Sequence, residues 1–79
     1  MNENICELIF SCVSWQKAQQ FVDVLLEKQL SGKTEILPAH TGHKVHVIVK
    51  ARGQDANAIK EEALRIADIT VVSSVSLVQ

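Results

Sequence analysis

The chain has no tyrosine, and its aromatic residues are Phe10, Trp15 and Phe21 alone. An RNA-recognition sheet stacks bases on exposed aromatics of its central strands. Phe10 instead alternates in step with Cys6, Leu8 and Cys12, a pattern that points inward. The formal net charge is only −1, and the cations are scattered: Lys28 and Lys33 bracket a turn, while Lys44, Lys50 and Arg52 follow in the second half. A nucleic-acid binder concentrates its cations in one patch or stripe, so no nucleic-acid partner is expected. No apolar run approaches the roughly 20 residues that cross a bilayer, and no membrane partner is expected either. Gly32, Gly42 and Gly53 stand singly, so there is no glycine-rich phosphate loop.

Cysteine is equally sparse. Cys6 and Cys12 fall six residues apart on one predicted strand, which separates them by about 20 Å, whereas a disulfide needs Cα atoms within about 7 Å. They share a face with Leu8 and Phe10 and are expected to be buried thiols. With no signal peptide, that cysteine usage points to a reducing cytoplasm. The 79 residues make one domain, residues 1–79. A monomer of this size buries only about 60% of its unfolded surface. Without a disulfide framework or a clear structural zinc site, oligomerisation is the remaining way to stabilise a chain that is 47% apolar.

What is present is a rhythm of apolar runs. Ile5–Val13 alternates as a strand, with Cys6, Leu8, Phe10 and Cys12 on one face and Glu7, Ile9 and Ser11 on the other. Ser14 is a natural N-cap for a helix from Trp15 to about Leu30, whose stripe comprises Ala18, Phe21, Val22, Leu25, Leu26 and Leu30. Ser31-Gly32 should end it, with Gly32 in the left-handed conformation. Thr34–Leu37 reads as a short strand stopped by Pro38, and Lys44–Ala51 as its hairpin partner, Val45, Val47 and Val49 alternating with His46, Ile48 and Lys50. Asp55 is the expected N-cap of a second helix, Ala56–Ala67, with Glu61 and Arg65 as an exposed pair at i,i+4 spacing. A last strand, Ile69–Val78, divides into Val71, Val75 and Leu77 on one face and Thr70, Val72, Ser74, Ser76 and Val78 on the other. The order β-α-β-β-α-β is that of an α+β, ferredoxin-like fold: a four-stranded antiparallel sheet in the order 4-1-3-2, with two helices on one face. Its other face would show Ile9, Ile48, Val72 and Val78 among Glu7, Ser11 and small hydroxyl residues, and a patch that apolar marks an interface.

Three histidines, His40, His43 and His46, are spaced by three across the hairpin loop and the start of the following strand. Imidazole suits zinc, copper or nickel, so these are the candidate metal ligands, set against the alternative of solvated hairpin side chains. Residues 43 and 46 of an extended chain point to opposite faces, so at most two could share a metal unless the loop curls or another subunit completes the set. A reactive thiol is the other candidate. Cys12 precedes the first helix by two residues and His46 could approach it, but its place on the Leu8/Phe10 face favours a buried, inert role. Glu27, Glu61 and Glu62 are expected on solvent-facing helix positions, and Trp15 as an anchor over the sheet edge. No catalytic residue is assigned.

The chain resembles the CutA divalent-cation-tolerance family and, more distantly, the PII signalling proteins. The resemblance lies in Ala18 with Val22-Asp23-Val24-Leu25-Leu26-Glu27-Lys28-Gln29-Leu30, in Glu35-Ile36-Leu37-Pro38, in Val47-Ile48-Val49-Lys50, in Ala58-Ile59-Lys60-Glu61-Glu62 and in Ala67-Asp68-Ile69-Thr70-Val71-Val72. It departs from the family in a hairpin cut to Ala39–His43 and in lacking the family's strand-two cysteine, its aromatic-proline segment and its Trp-bearing C-terminal extension. The nucleotide-binding loops of PII proteins are also missing. The resemblance implies a non-enzymatic, trimer-forming regulatory or metal-response module that meets a partner or small ligand at subunit clefts. Two other classes share the topology: an ACT-like small-molecule-binding regulatory domain, and a small dimeric α+β barrel enzyme.

Overall fold

A computed structural model describes residues 4–30, 32–38, 44–66 and 68–77. Strand β1 (Ile5–Cys12) leads to helix α1 (Trp15–Glu27), the antiparallel pair β2 (Lys33–Pro38) and β3 (Val45–Arg52), a short 3-10 turn (Gly53–Asp55), helix α2 (Ala56–Arg65) and strand β4 (Ile69–Leu77). The sheet order is β2-β3-β1-β4 with every neighbour antiparallel. This is the expected α+β, ferredoxin-like topology.

Alternation decides which face is covered. Along β1 every second residue, from Cys6 to Cys12, is buried, and along β3 Val45, Val47, Val49 and Ala51 are buried opposite them. Onto this face α1 packs Ala18, Phe21, Val22 and Leu25, and α2 packs Ile59 and Ala63. Phe10 of β1 and Phe21 of α1 meet edge to face with ring centroids 4.8 Å apart, a geometry that matches positive ring edge to negative ring face. Both rings are fully buried.

The ends of α1 follow different logics. At the N-terminus the Ser14 hydroxyl accepts a hydrogen bond from the Lys17 amide at 3.2 Å, as its sequence position implies. At the C-terminus the helix stops three residues earlier than the apolar stripe suggested. Lys28 is the C-cap, Gln29 adopts φ 57°, the Gln29 amide donates to the Leu26 carbonyl and the Leu30 amide to the Leu25 carbonyl. These two bonds are a Schellman motif, with Leu30 folding back onto the core beside Leu25. The left-handed residue is therefore Gln29 and not Gly32. Leu26, on the flank of the stripe, is 59% exposed. Gly32 serves a close approach: its amide donates to the Lys50 carbonyl at 3.0 Å, and a Cβ there would lie 3.3 Å from that oxygen.

Two further expectations are corrected. Asp55 does occupy the N-cap position of α2, but its side chain makes no capping hydrogen bond; its backbone is already helical, and its carboxylate lies 3.4 Å from Arg52 Nε. In β4 the alternation breaks, because Ile9 pairs with Ser73 while Phe10 pairs with Val71, leaving Val72 as an extra residue. Such a bulge resets the faces of a strand. Val71 thus registers with the covered face, whereas Val75, opposite Glu7, registers with the uncovered one. Val78 and Ala67 lie outside the described residues.

The Gln29 backbone gives a direct test. A side chain in the left-handed region costs about 1 kcal/mol relative to glycine, so Gln29→Gly is expected to raise the unfolding free energy in urea by about that amount. A variant no more stable than the parent would show that this turn carries no strain.

Candidate functional site

Among the described residues nothing packs on the second face of the sheet, and strand register arranges that face in rows. One row runs Lys33, Lys50, Glu7, Val75 from β2 across to β4. The next runs Glu35, Ile48, Ile9, Ser73, and the third Leu37, His46, Ser11, Thr70. Ile9 and Ile48 are direct cross-strand partners at the centre, with Leu37 at 43% and Val75 at 50% exposure toward the two edges. The centre of the middle row, Ile48 and Ile9, is apolar with Glu35 at its β2 edge, and Lys33, Lys50 and Glu7 gather at the end where β2 begins and β3 finishes.

At that charged end Lys50 Nζ lies 3.9 Å from Glu7 Oε2. A cavity of about 230 Å³ opens there, lined by Ile5, Gly32, Lys33, Lys50, Ala51 and Arg52. A smaller one of about 130 Å³ adjoins it, sharing Gly32 and Arg52 and extending to Asp55 and the α1 C-terminal turn. Lys33 and Lys50 read as scattered cations along the sequence. They become neighbours once Pro38 sits opposite Val45, because the same register sets Lys33 opposite Lys50.

His46 lies on the uncovered face, at the end next to the β2–β3 connection. His40 and His43 lie outside the described residues. Among the described residues no group of three or more His, Cys, Asp or Glu side chains is placed to hold a metal ion. Cys12 faces the other way: it is 1% exposed on the covered side, so His46 and Cys12 stand on opposite faces of the sheet. Burial pushes the Cys12 thiol above its ordinary pKa, the reverse of an activated nucleophile. Trp15 keeps about half its surface in solvent, at 53% exposure.

Glu62 departs from its expected solvent position. It is 9% exposed, and its Oε1 accepts from Lys28 Nζ at 2.6 Å and from Arg65 Nη1 at 3.2 Å. Arg65 therefore pairs at i,i+3 with Glu62, where Glu61 at i,i+4 was expected. Lys28 is the C-cap of α1, so this carboxylate fastens the end of one helix to the middle of the other. The Lys28 hydrogen bond, assisted by the charges of Lys28 and Arg65 and opposed by burial, holds the Glu62 carboxyl below its usual pKa.

The class defined by this architecture is a ferredoxin-like α+β domain with one sheet face left open. Among solved structures it is similar to the divalent ion tolerance protein CutA1 from Ehrlichia chaffeensis, with a TM-score of 0.78 and 17% identity over 98% of this chain and 82% of that one. CutA1 from Oryza sativa superposes with a TM-score of 0.79 at 12% identity, covering 99% of this chain and 82% of its own. The periplasmic divalent cation tolerance protein CutA from Archaeoglobus fulgidus gives 0.68 at 19% identity over 92% and 83% of the two chains. The chain thus has the fold of the CutA proteins. No protein-family model matches the sequence, and no curated protein matches it significantly. No helix among the described residues is long and apolar enough to cross a membrane.

Two outcomes are expected from this geometry. Glu62 has a lowered folded pKa, so its contribution to stability is present above the unfolded value of about 4.3 and is lost as pH falls through the folded one. Glu62→Gln should therefore lower the urea midpoint at pH 7, with the deficit shrinking as pH drops below about 4; a constant deficit would assign the loss to packing. Cys12, buried and with a raised pKa, should react with iodoacetamide only as fast as the protein opens. Labelling of the Cys12 peptide at the rate of a free thiol would contradict that burial.

Proposed function

We propose that the chain is a non-enzymatic, oligomeric regulatory or metal-response module of CutA-like type, acting in the cytoplasm. It self-associates through its open sheet face and meets a partner protein or small ligand at the clefts between subunits. The observation that carries this reading is the cross-strand pair Ile9 and Ile48, flanked by Leu37 and Val75, on the uncovered face of a fold shared with divalent ion tolerance proteins. Covering those side chains supplies the second core that a 79-residue domain lacks. A trimer is the favoured assembly, by likeness to the CutA family. The cytoplasmic assignment is supported by the two buried cysteines on β1.

His40, His43 and His46 are the proposed metal ligands, with copper or zinc the best match to imidazole donors. His46 sits at the end of the open face next to the β2–β3 connection, where a neighbouring subunit's side chains can complete the coordination. This is a sensing arrangement rather than a catalytic one, since a nucleophile or general base is not required.

Sedimentation equilibrium should give three times the 8.7 kDa chain mass, and Ile48→Glu, which sets a charge in the centre of the face, should give a folded monomer. A monomeric parent at high concentration would remove the assembly. Calorimetric titration with zinc and copper is expected to show binding tighter than about 10 μM, roughly 7 kcal/mol. Substituting the three histidines by alanine should abolish it. Absence of such binding in the parent would remove the metal role while leaving the assembly standing.

A further inference from the structure

The charged corner of the open face has an arrangement that stability alone does not favour. Lys33 and Lys50 are direct cross-strand partners on the same face, and like charges placed opposite one another weaken a strand pair. Arg52 follows two residues later on the same side of β3. The carboxylates nearby compensate little. Glu7 reaches Lys50 only at 3.9 Å, and Asp55 engages Arg52 through Nε at 3.4 Å, which leaves donors of a five-donor guanidinium over. Lys33 makes no ion pair among the described residues.

These three cations surround the cavity of about 230 Å³, whose remaining walls are Ile5, Ala51 and Gly32. Its volume falls below the roughly 300–1,000 Å³ of sites for drug-sized molecules, which suits a small ligand. Lysine and arginine stems line it with methylene groups while their charged ends stay in water. The Gly32 backbone approaches Lys50 as closely as the space allows, since a Cβ there would press on the Lys50 carbonyl oxygen at 3.3 Å. The site therefore offers positive charge at its mouth and apolar surface beside it.

We propose that this corner binds a small amphipathic anion, with a phosphate or carboxylate head between Lys33, Lys50 and Arg52 and a short apolar body against Ile5 and the lysine stems. The ligand supplies the negative charge that the like-charge lysine pair lacks. The lining residues sit at the end of the open face, starting one row beyond its Ile9–Ile48 centre, and the site rests on their geometry and not on the assembly proposed for that centre.

The test is a titration of the ¹⁵N-labelled full chain, followed by amide shifts, with four probes at low salt: hexanoate, butyl phosphate, inorganic phosphate and the neutral hexanamide. Hexanoate or butyl phosphate should give saturable shifts at Gly32, Lys33 and Lys50–Arg52, weakening as sodium chloride is raised. Lys33→Gln should bind about tenfold or more weakly, the scale of one hydrogen bond to a charged group, yet unfold at a urea midpoint no lower than the parent. Absence of saturable shifts with both amphipathic anions would overturn the site, as would equal binding by hexanamide or undiminished binding by Lys33→Gln. Inorganic phosphate binding as tightly as butyl phosphate would overturn the ligand class. Sedimentation of the same samples shows whether assembly fails or survives independently of these results.

Discussion

The contact between Phe10 and Phe21 is the joint on which this small domain depends. Phe10 belongs to β1, which is hydrogen-bonded on both sides, and Phe21 to the middle of α1, so their edge-to-face pairing ties one of the sheet's two inner strands to its first helix. Around it collect Leu8, Leu25, Val47, Val49 and Ile59, each with no exposed surface. Among the described residues, the buried apolar side chains lie on one side of the sheet. A chain of this length that packs one face well still carries a second face whose centre is apolar, and the open side is therefore a direct consequence of how the covered side is built.

Polar interactions fix what the apolar layer leaves loose. The buried Glu62 carboxylate, held between Lys28 and Arg65, sets the spacing of the two helices at the point where α1 ends. The Schellman turn at Gln29 then directs Leu30 back to the core and delivers the chain to Gly32 and the start of β2. Helix end, helix clasp and strand entry are thus consecutive in a few residues. They also place Lys33 at the mouth of the basic corner, which links the local folding of the turn to the chemistry of the cavity.

The topology and the covered face were legible in the sequence because both rest on simple periods. Alternation in Ile5–Cys12 and Val45–Arg52, and the three- and four-residue spacing of Ala18, Phe21, Val22 and Leu25, name the core directly. Ser14 was legible as a cap for the same local reason. What escaped depends on features without a period. The bulge at Val72 inserts one residue and transfers Val75 to the other face; Gln29 takes a conformation that composition assigns to glycine; and Glu62 finds its cation 34 residues away on another helix. The basic corner stayed hidden because cross-strand neighbours are set by hairpin register, and charge scattered in sequence can be concentrated in space. His46 was placed by alternation on the open face, but a ligand set shared with His40 and His43 is a property of the connection.

The position of β1 has a consequence for how the polypeptide is made. It precedes the other three strands of the sheet in the chain, yet its two partners are residues 45–52 and 69–77. As the chain emerges from the ribosome, Leu8, Phe10 and their neighbours can be met by α1 early, but the strand has no partner in this sheet until residues 45–52 have appeared. Its second edge stays unpaired until the final strand arrives. Pairings this distant in sequence are slow to close, and an unpaired apolar strand invites association with other chains in the interval. The element at the centre of the finished domain is thus the one longest without protection during its synthesis.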